Sequence, residues 1–505
     1  MNEVYEAGRA NFLEEWYTLV HVCQRWRRVV FASPRRLNLK LVCTSRRPVR
    51  EMLRICPTLP VVIQDWKLCD SPLLAVENVD NIVAAFRHRN RVYDIDLDPL
   101  PLSFLEWITA TPIMQESLPT LTFLTLRSYV ESATVLPDSF LGGYAPRLRE
   151  LVLIGVPFPG LPKLLLSTNN LIELCLWNIP NFGYISPEAM VTCLSSLTNL
   201  RTLALNFNSS QSRPDDLSRS LASLTRVDLP ALLDFRFNGA HDYLEDFVAR
   251  INAPELCDIQ ISFSYQPLFD ATQLSQFIGR IEGFDVFHQA YMKFYHGSIF
   301  IRFENAVQIT SLELQIVCIE LEAQLSSLAQ VCRPFSSPIL LSMERLEIVV
   351  DFPPPDNWDD YLENTLWLWS RLLRSFTAVR DLYLPQELAF RVVRALQDPN
   401  GESSEELLPT LRSIFVEGYR SFWEVQVAIR PFTATRQDSG RPEVAIHRWK
   451  QWEDDDEWSQ TSSEIAIMTS EMYVEKPRLA QQRYLAQTNH CLNMLLIRPA
   501  IHYCH

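Results

Sequence analysis

The sequence predicts an α/β fold in which one short strand recurs many times along the chain, preceded by a small helical unit. Three observations lead to this prediction. A six-residue leucine pattern repeats in series, helical segments lie between its copies, and an apolar stripe at helical spacing stands near the N-terminus. With 505 residues, of which 47% are hydrophobic and 21% charged, the chain can bury a core that grows by repetition.

The leucine pattern has the form L-x-x-L-x-L, and each clear copy follows a polar turn, most of which contain proline or asparagine. Such alternation predicts short strands whose inner side chains stack on the next copy. Six successive copies start 27, 23, 29, 32 and 24 residues apart, near the ~20–29 residues of leucine-rich repeats. We therefore expect an irregular leucine-rich-repeat solenoid; the alternative is an ordinary α/β or α+β domain whose strands happen to begin with leucine. Clear copies begin at Leu121, Leu148, Leu171 and Leu200, degraded copies at Leu232 and Leu256, and weaker copies near Leu37 and at Val92, Ile309, Met343, Val379 and Leu411.

Helical segments are predicted between these strands at residues 186–197, 242–251 and 357–376. The last has apolar residues at helical spacing, with Asp356 and Asn357 as candidate caps at its start. A further strand is predicted at residues 287–294, "FHQAYMKF". Between residues 270 and 345 the leucine signal fades, and the sequence leaves open whether this region holds one repeat or two.

If the solenoid forms, the residues between the leucines point to an exposed face that is available to a partner protein. Exposed tryptophan and arginine side chains are frequent interaction hot spots. For Trp177 and Phe207, burial under a neighbouring loop is an equally good interpretation. The candidate partner-binding residues are Arg149, Glu173, Trp177, Asn178, Arg201, Asn206, Phe207 and Arg236.

The N-terminal stripe lies within residues 12–31, "FLEEWYTLVHVCQRWRRVVF", and predicts an amphipathic helical unit. A helical cluster this small cannot bury its own apolar face, so it needs a partner. The following "SPRR" ends the helix and leads into the alternating strand "LNLKLVC". The candidate docking residues on the stripe are Leu13, Trp16, Leu19, Val20, Cys23 and Trp26.

The stretch "LVHVCQRWRRVVFASPRRLNLKLVC", followed by "PVREMLRICPTLPVVI", resembles the large fungal (mushroom-type) F-box-like protein family. In that family the pattern Val/Leu-x-x-Val-Cys-x-x-Trp-x-x-Val/Ile forms the later helices of the F-box. Here Leu19, Val22, Cys23, Trp26 and Val29 match it. The Ser-Pro-x-x-Leu-x-Leu strand and the downstream leucine-rich units are also similar to the family, over residues 15–450.

The resemblance implies a substrate-recognition adaptor. F-box proteins hold a Skp-family linker through the F-box helices and capture a substrate protein through their repeats, so that a cullin-based ligase can ubiquitinate it. The family's opening Leu-Pro-x-Glu/Asp helix has no counterpart in "MNEVYEAGRANF", and we expect a partial F-box. The alternative is a leucine-rich protein-binding scaffold with no ubiquitin role.

These patterns divide the chain into four segments. Residues 1–33 form the partial F-box-like helical unit, and residues 34–115 the linking strands and helices with the first irregular repeats. Residues 116–450 form the repeat solenoid. Residues 451–505, which begin at the acidic run "EDDDEW", are expected to be a mobile tail.

Composition and motifs exclude several classes of function. The formal net charge of −14 argues against nucleic acid as the main partner, and no apolar stretch is long enough for a membrane span. No phosphate-binding loop, dinucleotide fingerprint, metalloprotease motif, serine-nucleophile motif or Cys-x-x-Cys pair occurs. We expect no enzymatic activity, cofactor or metal. The odd number of scattered cysteines and the acidic N-terminus predict a cytoplasmic or nuclear protein.

Overall fold

The computed structural model describes residues 23–32, 40–44, 50, 53–54, 59–65, 75–98, 112–128, 135–207, 226–264, 270–284, 286–305, 310–336, 339–351, 365–397, 407–417, 420–438, 440–441 and 443–449. The chain forms two compact units, residues 1–209 and 210–505. Their boundary falls inside the segment predicted as the repeat solenoid. The predicted tail, residues 451–505, lies outside the described residues.

In the first unit, the described strands form a parallel sheet that follows chain order from β1 to β7. Each strand lies beside the one before it, as a repeat array requires. The strands are β1 (Leu41–Cys43), β2 (Val61–Asp65), β3 (Val92–Leu97), β4 (Phe123–Arg127), β5 (Glu150–Ile154), β6 (Glu173–Ile179) and β7 (Thr202–Phe207).

In the second unit, the described strands are hydrogen-bonded in the order β9, β11, β14, β13, β12, β15, β16, β17, β18. All neighbours in this order are parallel except β13, which is antiparallel to both β12 and β14. The strands are β9 (Asp234–Gly239), β11 (Asp258–Ser264), β12 (Gln289–Tyr295), β13 (Ser298–Glu304), β14 (Ser311–Val317), β15 (Arg345–Val350), β16 (Asp381–Leu384), β17 (Ser413–Glu417) and β18 (Ala445–Trp449). A separate parallel pair joins β8 (Val227–Asp228) to β10 (Ile251–Asn252).

Short helices connect many of the strands. The Ser186 hydroxyl caps α4 by accepting the Ala189 N–H at 3.3 Å, with Pro187 at the first helical position. The helices are α1 (Gln24–Ala32), α2 (Ala75–Phe86), α3 (Leu161–Leu165), α4 (Pro187–Leu194), α5 (His241–Val248), α6 (Thr272–Ile278), α7 (Leu321–Cys332), α8 (Leu366–Leu373), α9 (Gln386–Ala395), α10 (Arg420–Ala428) and α11 (Arg430–Asp438). Short 3-10 turns lie at Pro112–Gln115, Phe140–Gly143, Asn181–Gly183, Pro334–Ser336 and Ile339–Ser342.

The leucine pattern predicts the strands correctly. In each clear and degraded copy the strand begins two residues after the first leucine, as at Leu148 and Glu150. The copies at residues 309, 343, 379 and 411 show the same offset. All three leucines of every clear copy are buried. Their strands pair in register, so that Leu124, Leu151, Leu174 and Leu203 form one continuous ladder.

A recurring turn precedes these strands and confirms the predicted turn positions. The N–H of the first apolar residue donates to the carbonyl three residues earlier, at 3.1 Å for Leu148 and 3.0 Å for Leu411. The middle of this turn holds proline, threonine or asparagine, which favour such backbone geometry. The next two N–H groups then share one carbonyl of the preceding repeat, as Ile172 and Glu173 share that of Arg149. The same hydrogen bonds recur in both units, which supports repetition over a chance series of leucines.

The faded region holds an insertion that the leucine pattern does not reveal. Strands β12 and β13 form a hairpin with the two-residue loop His296–Gly297, and β13 runs against its neighbours. The predicted strand at residues 287–294 is confirmed as β12, whereas β13 and β18 were not predicted. The helix predicted over residues 357–376 is observed as α8, Leu366–Leu373, and its candidate caps at residues 356 and 357 lie outside the described residues.

Candidate functional site

One face of the second unit's sheet carries polar and aromatic side chains, which we call the polar strand face. Along each strand these residues alternate with buried ones that form the core. Strand register aligns them in a row, in which all but the last are partly exposed and the last is exposed. From β9 to β18 the row consists of Arg236, Gln260, Glu313, Arg302, Tyr291, Glu347, Tyr383, Phe415 and His447.

Two arginine–carboxylate pairs lie in the first part of the polar strand face. Arg302 lies 2.6 Å from the Glu313 carboxylate on the neighbouring strand, and Arg236 lies 2.7 Å from Asp234 on its own strand. Burial raises the pKa of the Glu313 carboxyl, and the Arg302 guanidinium opposes this rise. These charged hydrogen bonds hold both arginines in defined positions on the face.

Aromatic rings dominate the last three strands of the face, and we call Tyr383, Phe415, His447 and Trp449 the aromatic column. Tyr383 and Phe415 stack with their ring centroids 4.3 Å apart and nearly parallel planes. Phe415 stacks in turn on His447 at 5.1 Å, and Trp449 meets Tyr383 edge-on at 5.1 Å. Such contacts stabilise aromatic pairs beyond their buried area. The column is therefore a preorganised apolar strip on an otherwise polar face.

An arginine closes one end of the column. The Arg345 guanidinium lies 4.1 Å from the centre of the Tyr383 ring and 2.9 Å from the Glu347 carboxylate. Burial raises the pKa of the Tyr383 phenol; Arg345 opposes this rise, and the carboxylates of Asp381 and Glu347 add to it. The phenol therefore stays neutral at physiological pH and offers an aromatic ring and a hydroxyl.

Two carboxylates border the column. Asp381 precedes Tyr383 by two residues on β16, and Glu417 follows Phe415 by two residues on β17, beside Trp449 on β18. Among the described residues, neither carboxylate forms an ion pair. Burial raises the pKa of the Glu417 carboxyl, and the nearby Glu387 carboxylate raises it further.

Most of the predicted partner-binding residues lie in the first unit, at or beside the strand starts. Arg149 and Arg201 are exposed in the turns before β5 and β7, whereas Glu173 and Trp177 are partly exposed on β6. Arg236 lies in the second unit, where it belongs to the polar strand face. The first unit therefore holds seven of the eight predicted residues, and the second unit holds Arg236.

Three of the predicted residues do not lie exposed on a regular strand. Asn206 is buried on β7. Phe207 is buried on the core side of β7 opposite Ile179, which is one of the two placements that the sequence left open. Asn178 adopts a left-handed conformation with φ +51° at a register shift in β6. Asparagine tolerates this conformation better than most residues, so a bulge accounts for it.

The predicted docking stripe is described only in part. Cys23 is exposed immediately before α1, and on α1 itself Trp26 is 48% exposed and Val29 52% exposed. Leu13, Trp16, Leu19 and Val20 lie outside the described residues. The described turns of α1 thus present two large apolar side chains to solvent.

The sequence interpretation did not identify the aromatic column, although the sequence contains a signal for it. Tyr383 and Phe415 both occupy the fifth position of their repeats, where Thr125, Cys175 and Ala204 stand in the first unit. Across the copies this position changes from small residues in the first unit, through Arg236, Gln260, Glu313 and Glu347, to the two aromatic residues. The weak leucine signal of the later copies obscured this change.

Other kinds of site find no support among the described residues. No group of three or more histidine, cysteine or carboxylate side chains is arranged to hold a metal ion in the part of the chain that the structure describes. Asp96 and Asp98 on the first unit's sheet instead contact Arg127, at 3.3 and 2.9 Å. Within the described ranges no helix is both long and apolar enough to cross a membrane.

Comparison with known proteins shows distant structural similarity only. No protein-family model matches the sequence, and no curated protein matches it. Among solved structures, a leucine-rich repeat-containing protein from Legionella pneumophila is similar, with 12% identity and a TM-score of 0.26, over 80% of this chain and 99% of that one. So low a TM-score supports no conclusion about function. The strand registers themselves establish a mixed α/β fold dominated by parallel strands.

Proposed function

We propose that the chain is a protein-binding scaffold that captures another protein on the polar strand face. The observation that carries this proposal is the aromatic column, a rigid apolar strip surrounded by polar side chains. Interface cores are enriched in aromatic residues and arginine, and the surrounding rim is polar. The polar strand face has both features.

The size of the face favours a protein over a small molecule. Nine described strands lie side by side in the second unit, and at about 4.8 Å between strands they span roughly 40 Å. That width suits a specific protein interface, which buries about 800 Å² on each partner. Small ligands bind instead in enclosed pockets that cover most of their surface.

Replacing Phe415 by alanine tests this proposal. Removal of a central aromatic residue from an interface costs about 2 kcal/mol or more, so we expect partner capture to fall roughly thirtyfold. The measurement is quantitative mass spectrometry of proteins that copurify with the tagged full-length chain. Phe390→Ala is the matched control, because Phe390 is 39% exposed on α9. Equal losses in both variants, or none in either, would contradict the proposal.

We further propose the adaptor role within a Skp–cullin–F-box ubiquitin ligase, acting in the cytoplasm or nucleus. Two observations support it: the F-box-like pattern around Cys23 and Trp26, and the exposure of Trp26 and Val29 on α1. Exposed apolar residues on a short helix are a typical docking surface for another helical protein. In this role α1 contacts the Skp-family linker while the polar strand face holds the substrate protein. The alternative, a binding scaffold with no ubiquitin role, uses the same face without a linker.

Substituting Trp26 by alanine distinguishes the adaptor from the scaffold. We expect the full-length chain to copurify with a Skp-family linker and Trp26→Ala to weaken that binding at least about tenfold. Binding of the purified linker is measured by calorimetry, with Trp423→Ala as control because Trp423 is 67% exposed on α10. If the wild-type chain and a form extended upstream both fail to bind the linker, while partner capture persists, the scaffold alternative holds.

A further inference from the structure

We propose that the aromatic column and its bordering carboxylates bind arginine side chains, so that the captured protein presents a basic, arginine-containing segment. This inference rests on the proposed protein-binding function and names the chemistry of the partner. Aromatic faces attract guanidinium groups, and carboxylates pair with them through two parallel hydrogen bonds.

The molecule already holds one arginine in this way. Arg345 stacks over Tyr383 at 4.1 Å while Glu347 accepts its hydrogen bond at 2.9 Å. The pair shows that a ring and a carboxylate on neighbouring strands of this face are correctly spaced for a guanidinium. Glu417 on β17 and Trp449 directly opposite it on β18 repeat the combination, whereas Tyr383 and His447 already cover the two faces of the Phe415 ring. Here no arginine of the described residues stacks on the rings.

Charge distribution along the face points to the same partner. In its first part, Asp234 and Glu313 have arginine partners, and on β12 Lys293 lies 3.4 Å from Asp351. By contrast, Asp381 and Glu417 have no cationic partner among the described residues. Asp258 on β11 has no ion pair either, but it accepts hydrogen bonds from Gln260 and Ser311, at 3.0 and 2.6 Å. Among the described residues, the carboxylates beside the column lack both kinds of partner and are therefore open to a cation.

A cation from a partner would supply the missing partner. An incoming guanidinium between Glu417 and Trp449 donates hydrogen bonds to the carboxylate and covers a partly exposed aromatic ring in one step. An acidic or purely apolar segment gains only the second contribution, and the acidic one is repelled. Nucleic acid is disfavoured for the same reason, since its phosphates would meet Asp381, Glu417 and a chain of net charge −14.

The test uses the full-length protein and four fluorescent peptides, each with five repeats of Gly-Arg, Gly-Lys, Gly-Leu or Gly-Glu. Fluorescence anisotropy is measured at low and physiological salt. We expect the arginine peptide to bind most tightly, the lysine peptide more weakly, and the leucine and glutamate peptides not at all. Trp449→Ala and Glu417→Gln should each weaken arginine-peptide binding about threefold to tenfold, as loss of a cation–π contact or a charged hydrogen bond predicts.

Glu322→Gln is the matched control, because Glu322 is an exposed carboxylate in the first turn of α7. It removes the same charge as Glu417→Gln, so general attraction between an acidic protein and a cationic peptide would fall equally in both. Equal effects of the two glutamine variants would overturn the inference, as would leucine-peptide binding as tight as arginine-peptide binding. Thermal denaturation of each variant confirms that the fold persists, and Glu417→Gln alone suffices where Trp449→Ala unfolds.

Failure of this inference is distinguishable from failure of the protein-binding function. If Phe415→Ala abolishes capture of the cellular partner while the arginine peptide does not bind, the face binds protein but by another chemistry. If partner capture does not depend on Phe415 and peptide binding does not depend on Glu417, the binding function lies elsewhere on the chain. A competition experiment completes the test. The arginine peptide should displace the captured partner, and the leucine peptide should not.

Discussion

Replacement of Gly155 by alanine is expected to destabilise the first unit by about 3 to 5 kcal/mol, because two separate costs add at this position. Gly155 follows β5 with φ +64°, in the left-handed region that favours glycine. A β-carbon there would lie 2.1 Å from the Ser128 carbonyl oxygen. That atom belongs to the backbone, so rotation of a side chain cannot relieve the clash.

Relief of the clash would break hydrogen bonds that join three repeats. The Ser128 N–H donates to the Ile154 carbonyl at 2.8 Å, and the Gly155 N–H donates to the Trp177 carbonyl at 2.8 Å. Separation of these segments leaves buried polar groups without partners, at a cost of about 1 to 3 kcal/mol for each group. The glycine therefore determines how closely the ends of β4, β5 and β6 approach one another.

Gly143 provides the matched control. Its φ is +64°, and a β-carbon at that position would have no atom within 4 Å. Gly143→Ala should therefore cost only the left-handed penalty of about 1 to 2 kcal/mol. Hydrogen exchange followed by mass spectrometry measures the protection of backbone amides in both variants. We expect loss of protection across β4, β5 and β6 only in Gly155→Ala. Similar losses in the two variants would show that backbone strain, and not the close approach, sets the cost.

The strands were predictable because their signal is local. Each repeat has buried residues at its first, fourth and sixth positions, preceded by residues that favour a turn. This pattern determines where the strand begins and which side chains enter the core. Leu171, Leu174 and Leu176 illustrate this, since all three are buried and their strand begins two residues after the first. Parallel order follows from repetition, because each copy can pair only with its neighbours.

The hairpin of β12 and β13 was not fully predictable, because the direction of a strand is not a local property of its sequence. Strand β13, "SIFIRFE", alternates as cleanly as any repeat strand, but alternation has no direction. Whether a strand lies parallel or antiparallel depends on its connection, and the short loop His296–Gly297 permits only an antiparallel return. The leucine pattern carries no information about that choice.

The site was predictable only in part because exposure depends on neighbours. Alternation places Cys175 on the same side of β6 as Glu173, and Ala204 lies beside Cys175 on β7. Cys175 and Ala204 are nevertheless both buried. For Phe207 the pattern left exposure and burial open. Alternation with Leu203 and Leu205 places it on the core side of β7, where it lies opposite Ile179. The register shift at Asn178, which has a positive φ, leaves little trace in the leucine pattern.

Replacement of Arg436 by methionine is the second large effect, and we expect it to destabilise the C-terminal end of the second unit by about 2 to 4 kcal/mol. Arg436 is 1% exposed on α11. Its guanidinium donates to the carbonyls of Leu408, Pro409 and Leu411, at 3.3, 3.2 and 3.1 Å. Methionine has similar length but no donor, so these carbonyls lose their charged partner. Removal of a buried charge offsets part of the loss.

The segment that Arg436 holds is strained and leads directly into β17. Leu408 has φ +47°, a conformation that costs a non-glycine residue about 1 kcal/mol or more and persists only where contacts enforce it. Its carbonyl also accepts the Leu411 N–H in the turn that begins the strand. Arginine is suited to this position because its planar group reaches several carbonyls at once, and lysine should restore only part of the stability.

The consequence of the Arg436 substitution extends to the aromatic column, because Phe415 and Glu417 lie on the strand that this turn positions. We expect Arg436→Met to increase hydrogen exchange in β17 and β18 and to weaken arginine-peptide binding, although Arg436 itself is buried away from any ligand. Arg430→Met, an exposed position on the same helix, should change neither measurement. Unchanged protection in β17 would mean that β16 and the core leucines alone hold the strand, and the link between the buried arginine and the binding face would then be wrong.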